Sequence, residues 1–205
     1  MSIRPGTIFA VAWLAWVASW ILAAFWTGRT EKRAATWRAG WDVWAPRLLP
    51  LAGAILLYHA SRNIQHEARL WHVGHGGALA LSAVTCAGLL FTWWARIHLG
   101  RLWSGAITRK QDHRVIDSGP YGVVRHPIYA GLIVAIVATA AAQAIPTGLI
   151  GAALIVAGLG LKARAEERFL TAELGTEAYG AYRQRVPMLI PRVKWRDSQS
   201  RSDQD

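Results

Sequence analysis

Five apolar runs punctuate the chain, at roughly 7–26, 48–60, 77–98, 128–145 and 147–163. Charged residues fall almost entirely in the gaps between them. A helix needs ~20 apolar residues to cross the hydrocarbon core, and the first, third and fourth runs come near that length. The second run is shorter, with Pro46 and Pro50 near its start. It either leans on the preceding Trp41 and Trp44 or inserts only in part. Gln143-Ala144-Ile145-Pro146 is all that separates the fourth run from the fifth. That spacing predicts a tight hairpin whose helices are antiparallel neighbours. The pattern as a whole predicts an all-α integral membrane protein with about five transmembrane helices.

Composition agrees. The 205 residues suggest one domain, and 53% of them are hydrophobic, with 12 Trp to act as interfacial anchors. A net charge of +11 suits either a nucleic-acid binder or a membrane protein. In a nucleic-acid binder, Lys and Arg concentrate on a surface with aromatics between them. Here they sit between apolar runs, so no nucleic-acid partner is expected, and the lipid bilayer is. With five spans, twenty Lys and Arg collect on one side and three on the other. The richer side is the cytoplasmic one. The amino terminus is then expected outside, with segment 96–125 and the carboxyl tail in the cytoplasm of a plasma or inner membrane protein. The first run is too long and too rich in Trp for a signal peptide, and it lacks a basic leader. It is expected to be retained. The lone Cys86 excludes an internal disulfide. Residues 193–205 are polar and expected to be disordered. The organisation expected is two amino-terminal helices in 1–75, the second short, then a core over 76–192 and the tail.

The densest chemistry lies in Gly119–Gly131 (GPYGVVRHPIYAG), just before the fourth run. Polar and ionisable groups at the mouth of a membrane helix are costly, so they usually serve a site. Pro127 fits a first helical turn, and the amides just inside it suit an anion. The plainer alternative is a helix-start turn with interfacial anchors. The histidines His59, His66, His72 and His75 cluster outside the motif. HEARL lacks the second His of the zinc-helix signature, so these are taken as interfacial and no metal is expected. The segment Lys162–Arg168 (KARAEER) closes the fifth run, with Lys162 and Glu166 one turn apart on one face. It is either a solvated, salt-bridged helix end or a place where a carboxylate meets a cation or ribose hydroxyls. The tail Tyr179–Pro191 is amphipathic. It suits a helix on the membrane surface ended by Pro187, or a lid over the cytoplasmic mouth.

Taken in order, these pieces resemble one family. They are Leu99-Gly100 with Trp103-Ser104, the Gly-Pro-Tyr…Arg-His-Pro-x-Tyr-x-Gly motif, the hairpin, Glu166-Glu167-x-x-Leu170, and Tyr179-x-x-Tyr182…Arg185-Val186-Pro187…Ile190-Pro191. The set, over about residues 93–192, resembles the isoprenylcysteine carboxyl methyltransferase family and its bacterial relatives, with phospholipid N-methyltransferases as more distant cousins. The resemblance implies an S-adenosylmethionine-dependent membrane methyltransferase whose cytoplasmic cofactor pocket is closed by the carboxyl-terminal helical segment. It implies cofactor contacts at His113, Arg114, Val115, Ile116, Tyr121, Arg125, His126, Pro127, Ile128, Tyr129 and Glu166, with Glu167 a second candidate for the last. The family usually carries an Arg four residues before that Glu. Here the position is Lys162, with Arg164 two residues on, and Lys is a poorer clamp for a carboxylate.

The expected mechanism follows from the donor. A sulfonium methyl is already activated, so the protein must mainly align and desolvate, and alignment can supply ~7–11 kcal/mol. Tyr121 and Tyr129 are expected to wall the adenosine or the sulfonium, where cation–π attraction is worth ~0.5–2 kcal/mol. Arg96, Lys162 and Arg164 are expected to orient an anionic acceptor. That acceptor is expected to be a hydrophobic small molecule or a prenylated partner, most simply a prenylcysteine-type carboxylate. The alternatives are a phospholipid amine, a small hydrophobic thiol, or a non-catalytic protein that keeps the fold. The acceptor's identity and the oligomeric state stay open.

Overall fold

The computed structural model describes residues 4–26, 30–33, 41–100, 103, 108–110 and 116–192. The tail at 193–205 lies outside the described residues. Helix α1 (Pro5–Ala23) is followed by strand β1 (Thr30–Arg33), α2 (Trp41–Arg62), α3 (His75–Leu99), β2 (Thr108–Lys110), α4 (Pro120–Val123), α5 (Pro127–Gln143), α6 (Pro146–Leu174) and α7 (Thr176–Arg185). Proline opens α1, α4, α5 and α6, where its missing N–H and fixed φ cost nothing. Between α5 and α6 the chain reverses through Ala144 in the left-handed conformation (φ 56°, ψ 30°). That conformation is held from outside: the Leu70 N–H donates to the Ala144 carbonyl at 2.7 Å, and Trp71 Nε1 donates to the Ala141 carbonyl at 3.1 Å.

Among the described residues, α1, α3 and α6 are long and apolar enough to cross a membrane, and α5 is apolar but shorter at 17 residues. The second apolar run needs correcting. Its helix is not short but covers 22 residues from Trp41 to Arg62, with Pro46 and Pro50 inside it. Asp42 and Arg47 dilute its amino-terminal half, so hydropathy alone under-reads a helix that packing supports. The Pro50 ring sits in the notch left by Gly158 of α6. Interior proline is tolerated in a membrane helix where neighbours compensate.

Small residues set the packing. In lipid there is no hydrophobic force between helices, so close backbone approach and dispersion hold them together. A Cβ built on Gly131 of α5 would lie 2.6 Å from the Gly88 carbonyl of α3, and one on Gly151 of α6 would lie 2.7 Å from the Gly53 carbonyl of α2. The small residues of the hairpin therefore serve α3 and α2, although its two arms still meet. Ile136 and Ala140 of α5 share a buried cluster with Ala152, Ile155 and Leu159 of α6, joined by Trp13 and Leu57.

Helix α1 has no buried residue and attaches differently. Indole N–H groups do the work: Trp13 donates to Thr139 Oγ1 at 3.0 Å, Trp16 to Thr92 Oγ1 at 2.7 Å, and Trp93 of α3 to Ser19 Oγ at 3.1 Å. Its carboxyl end is tied by Arg96, which is fully buried at the last turn of α3. Arg96 Nη2 donates to the carbonyls of Ala23 (2.9 Å) and Trp26 (2.6 Å), and Nη1 to that of Gly100 (2.7 Å). The guanidinium also lies over the rings of Trp103 and Trp26, at 4.4 and 5.1 Å.

A short two-stranded ribbon accompanies the otherwise helical fold. β1 pairs antiparallel with β2, with Thr30 opposite Lys110, Lys32 opposite Arg109 and Arg33 opposite Thr108. It joins the α1–α2 connection to the α3–α4 connection and so puts both basic segments at one end of the bundle. Short polar strands carry no apolar periodicity to announce them.

The α3–α5 contact has a direct test. Gly131→Ala is expected to cost about 1–3 kcal/mol through overpacking. Gly160→Ala, on the same bundle with open space around it, is expected to be neutral or to stabilise by up to ~1 kcal/mol. Thermal unfolding of both variants in one detergent would decide, and equal melting temperatures would contradict this register.

Candidate functional site

The site is built where α6 outruns its apolar part. Over 29 residues α6 rises about 43 Å, which carries its last turns beyond the hydrocarbon. Those turns bear Lys162, Glu166 and Glu167. Facing them is the Gly119–Gly131 stretch. Gly119 takes φ +57°, and a Cβ there would lie 2.8 Å from the His98 ring, so glycine suits this position on both counts. The turn brings Tyr121 under the His98 ring at 6.3 Å, with His98 Nε2 paired to Ser118 Oγ at 3.0 Å. Pro127 then starts α5 and leaves His126 as its cap residue, 7% exposed.

Two carboxylates meet this turn with different partners. Glu167 Oε1 accepts from Arg125 Nε at 2.6 Å and lies 2.6 Å from Arg125 Nη2. Its Oε2 is 3.6 Å from Arg183 Nε. Both members of the Arg125–Glu167 pair are under a tenth exposed. Glu166 Oε1 accepts from the Tyr129 hydroxyl at 2.5 Å, and the Glu166 side chain keeps 19% exposure. His126 lies between the two, with Nδ1 3.6 Å from Glu166 Oε2 and Nε2 3.4 Å from Glu167 Oε1. The latter distance lacks hydrogen-bond geometry, which leaves Nε2 buried without a hydrogen-bond partner. The rings of His126 and Tyr129 stack at 5.6 Å, and Lys162 Nζ lies 5.4 Å above the Tyr129 ring.

The carboxyl-terminal segment covers this cluster. Glycine at 175 (φ +85°) separates α6 from α7. Tyr179 and Tyr182 bury against Leu170, Leu174 and Val186, and the Tyr182 hydroxyl donates to the Tyr121 carbonyl at 2.7 Å. Past α7, the carbonyls of Pro187 and Met188 accept from the N–H groups of Arg125 (2.8 Å) and His126 (3.1 Å).

Electrostatics follow from these neighbours. Burial pulls the His126 imidazole down, but the neighbouring Glu166 and Glu167 carboxylates outweigh it and raise its pKa above the usual value. Burial, then Tyr182 and Glu166, push the Tyr121 phenol well above its ordinary range, while Arg96 opposes them. Tyr121 therefore stays neutral with Glu166 and Arg96 as its charged neighbours.

The residues singled out from sequence divide clearly. Tyr121, Arg125, His126, Pro127, Tyr129, Lys162, Glu166 and Glu167 come together. Ile116 and Ile128 are half-buried, and Arg164 is exposed on α6. Arg96 is not turned to the carboxylates. Helix carbonyls without intrahelical partners need donors, and the end of α1 takes the guanidinium. His113, Arg114 and Val115 lie outside the described residues. Sequence reading missed His98, Tyr182 as a hydrogen-bond donor, and Arg183. The Tyr-x-x-Tyr spacing was the one available signal, since it puts both rings on one helical face. Among the described residues no group of three or more His, Cys, Asp or Glu side chains is arranged to hold a metal ion.

Comparison with known proteins agrees with this segment. Residues 79–172 match the isoprenylcysteine carboxyl methyltransferase (ICMT) family. The chain is 31% identical over 119 residues to Protein-S-isoprenylcysteine O-methyltransferase B of Arabidopsis thaliana, covering 58% of this chain and 55% of that protein. It is 43% identical over 75 residues to Methanethiol S-methyltransferase 2 of Bradyrhizobium diazoefficiens, covering 36% of this chain and 27% of that protein. The alignments thus span about half the length of the first relative and about a quarter of the second.

The raised His126 pKa sets the sign of a pH dependence. A raised folded-state pKa stabilises fully below the unfolded value of about 6.5 and loses that contribution as pH rises through the folded value. The melting temperature of wild type minus that of His126→Gln is therefore expected to be largest near pH 6 and to shrink toward pH 9. A gap that grows with pH would contradict the ion-paired His126.

Proposed function

We propose that this chain, a member of the isoprenylcysteine carboxyl methyltransferase family through residues 79–172, transfers a methyl group from S-adenosylmethionine to a hydrophobic acceptor drawn from the membrane. One observation carries the reading. Glu166, the more exposed of two adjacent carboxylates at 19%, sits 3.6 Å from Nδ1 of buried His126, at the end of a membrane bundle and beneath a docked carboxyl-terminal segment.

The residues present fit the cofactor. It carries a positive sulfonium, an ammonium and ribose hydroxyls. Glu166 offers acceptor capacity for the polar groups, while Glu167 is already engaged by Arg125, His126 and Arg183. This favours Glu166 as the cofactor contact and Glu167 as its support. The Tyr129 ring, over which Lys162 Nζ lies, is a π surface of the kind that attracts a cation, worth ~0.5–2 kcal/mol. Pro127 and Ile128 supply the adjoining first turn of α5, and the proposed set extends to Tyr121, Ile116 and the segment His113, Arg114 and Val115.

When bound, S-adenosylmethionine supplies an electrophilic methyl on a good thioether leaving group. The protein has no bond to make, so its part is placement and exclusion of water. Tyr129 fixes the Glu166 carboxylate through its hydroxyl. When protonated, His126 compensates the acidic pair, which lets two carboxylates stand together. Lys162, over the Tyr129 ring, is the cation placed to orient an anionic acceptor, with exposed Arg164 beyond it. With five spans, the twenty basic residues of the richer side support a cytoplasmic site and carboxyl terminus and an amino terminus outside.

A prenylcysteine-type carboxylate is the first reading for the acceptor, supported by the family and the Arabidopsis relative. Such a carboxylate is ionised at neutral pH and needs no base. A small hydrophobic thiol is the second reading. It is favoured by the Bradyrhizobium relative and by Lys162, which offers one point charge in place of an Arg fork.

Calorimetric titration of S-adenosylhomocysteine into detergent-purified protein tests the cofactor site. Glu166→Gln keeps an acceptor for Tyr129 but removes the charge, and is expected to weaken binding roughly 10–100-fold. Unchanged affinity would sink the assignment. Vesicles holding the protein with labelled methyl donor, given either a farnesylcysteine analogue or an alkyl thiol, then assign the acceptor by which one gains label.

A further inference from the structure

We propose that Arg125 is a positioning residue: it latches residues 183–188 across the site as a strap and so sets the rate at which the cofactor exchanges. This rests on the reading above that the Glu166–His126–Tyr129 face takes S-adenosylmethionine. It departs from the expectation that Arg125 itself contacts the cofactor.

Every nitrogen of the Arg125 guanidinium is already engaged by protein. Nε and Nη2 hold Glu167, and Nη1 donates to the carbonyls of Arg183, at 2.9 Å, and Val186. The backbone N–H groups of Arg125 and His126 donate to the next two strap carbonyls, those of Pro187 and Met188. Four strap carbonyls thus converge on one residue and its neighbour. Pro187 ends any helical alternative for them, having no N–H to continue the ladder.

Little else fastens the strap. Val186 is its one buried apolar side chain, Pro187, Met188 and Leu189 are half-buried, and Ile190 is 81% exposed. Arg183 meets Glu167 only at 3.6 Å, from a side chain that is 47% exposed. The remaining ties are the Tyr182 hydroxyl on the Tyr121 carbonyl and an exposed pair of Arg185 Nη2 with Asp117 Oδ2 at 2.9 Å. Polar contacts of this kind release together, whereas a packed apolar face would not. The strap adjoins Tyr121 and His126, two members of the ligand face, so lifting it uncovers that face. Glu167 fixes the guanidinium from the far side, which keeps the fork aimed at the carbonyls while the strap is up. Lys in this place would supply the charge without the fork.

The test uses full-length protein with S-adenosylhomocysteine as probe. Arg125→Lys is expected to raise the probe's dissociation rate about tenfold or more, from the loss of two hydrogen bonds to the strap. Amide hydrogen exchange over 183–190 is expected to speed up in the same variant without ligand. Glu166→Gln is expected to weaken binding while leaving strap exchange as in wild type. Tyr182→Phe loosens the strap while leaving Arg125 intact. It is expected to raise the dissociation rate in the same direction, and it carries the test if Arg125→Lys does not fold. Faster dissociation with unchanged strap exchange would make Arg125 a direct ligand contact and overturn the proposal. So would unchanged rates in both strap variants. Wild-type protein that binds no probe overturns the cofactor reading itself, a result separable from failure of the latch because strap exchange is measured without ligand.

Discussion

The buried ion pair of Arg125 and Glu167 joins three parts of the chain that are far apart in sequence. These are the turn before α5, the end of α6 and the segment after α7. An ion pair under a tenth exposed is not self-evidently stabilising, because both charges give up water. Such a pair is favourable when the remaining donors and acceptors are satisfied. Here the guanidinium also reaches strap carbonyls, and the carboxylate also meets His126 and Arg183. With Glu167 held this way, its neighbour Glu166 meets Tyr129 and His126 and stays the more exposed of the two. The division of labour between adjacent carboxylates is the basis of the proposed site.

Inside the bundle a different constraint operates. Lipid surrounds the helices, so apolar side chains gain little by meeting one another, and geometry decides. Glycine at 88, 131, 53 and 151 brings backbones together, and Pro50 fits the gap at Gly158. Threonine and serine give indole N–H groups an internal partner. This polar lacing explains how α1 attaches without burying a single residue, and why an arginine at the end of α3 is tied to α1 rather than to the site. The amino-terminal helix lies outside the 79–172 match, yet Arg96, inside the match, secures it.

Much of the site was legible beforehand because its residues are dense and out of place. Gly119–Gly131 and Lys162–Arg168 carry charge and rings beside apolar runs, where chance rarely leaves them. The hairpin followed from Pro146 and four intervening residues. Less visible was what the ordered motif assigned to ligand. Arg125 belongs to the motif by sequence, but its donors are consumed by Glu167 and by two carbonyls 58 and 61 residues away. The strand pair was invisible for a similar reason, since main-chain pairing of short polar segments leaves no hydropathy signal.

The sequence by itself determined the class of protein, the position of most helices and the side rich in Lys and Arg. Each of these depends on local composition: apolar length, helix-start prolines and charge between runs. Tertiary structure alone decided which helices are partners, how far α2 extends, where the Arg96 and Arg125 guanidinium groups point, and which carboxylate stays the more exposed. Those outcomes depend on carbonyls and ring faces supplied from distant parts of the chain. Every residue has a carbonyl, so nothing in the order of side chains reveals which carbonyl will take the donor.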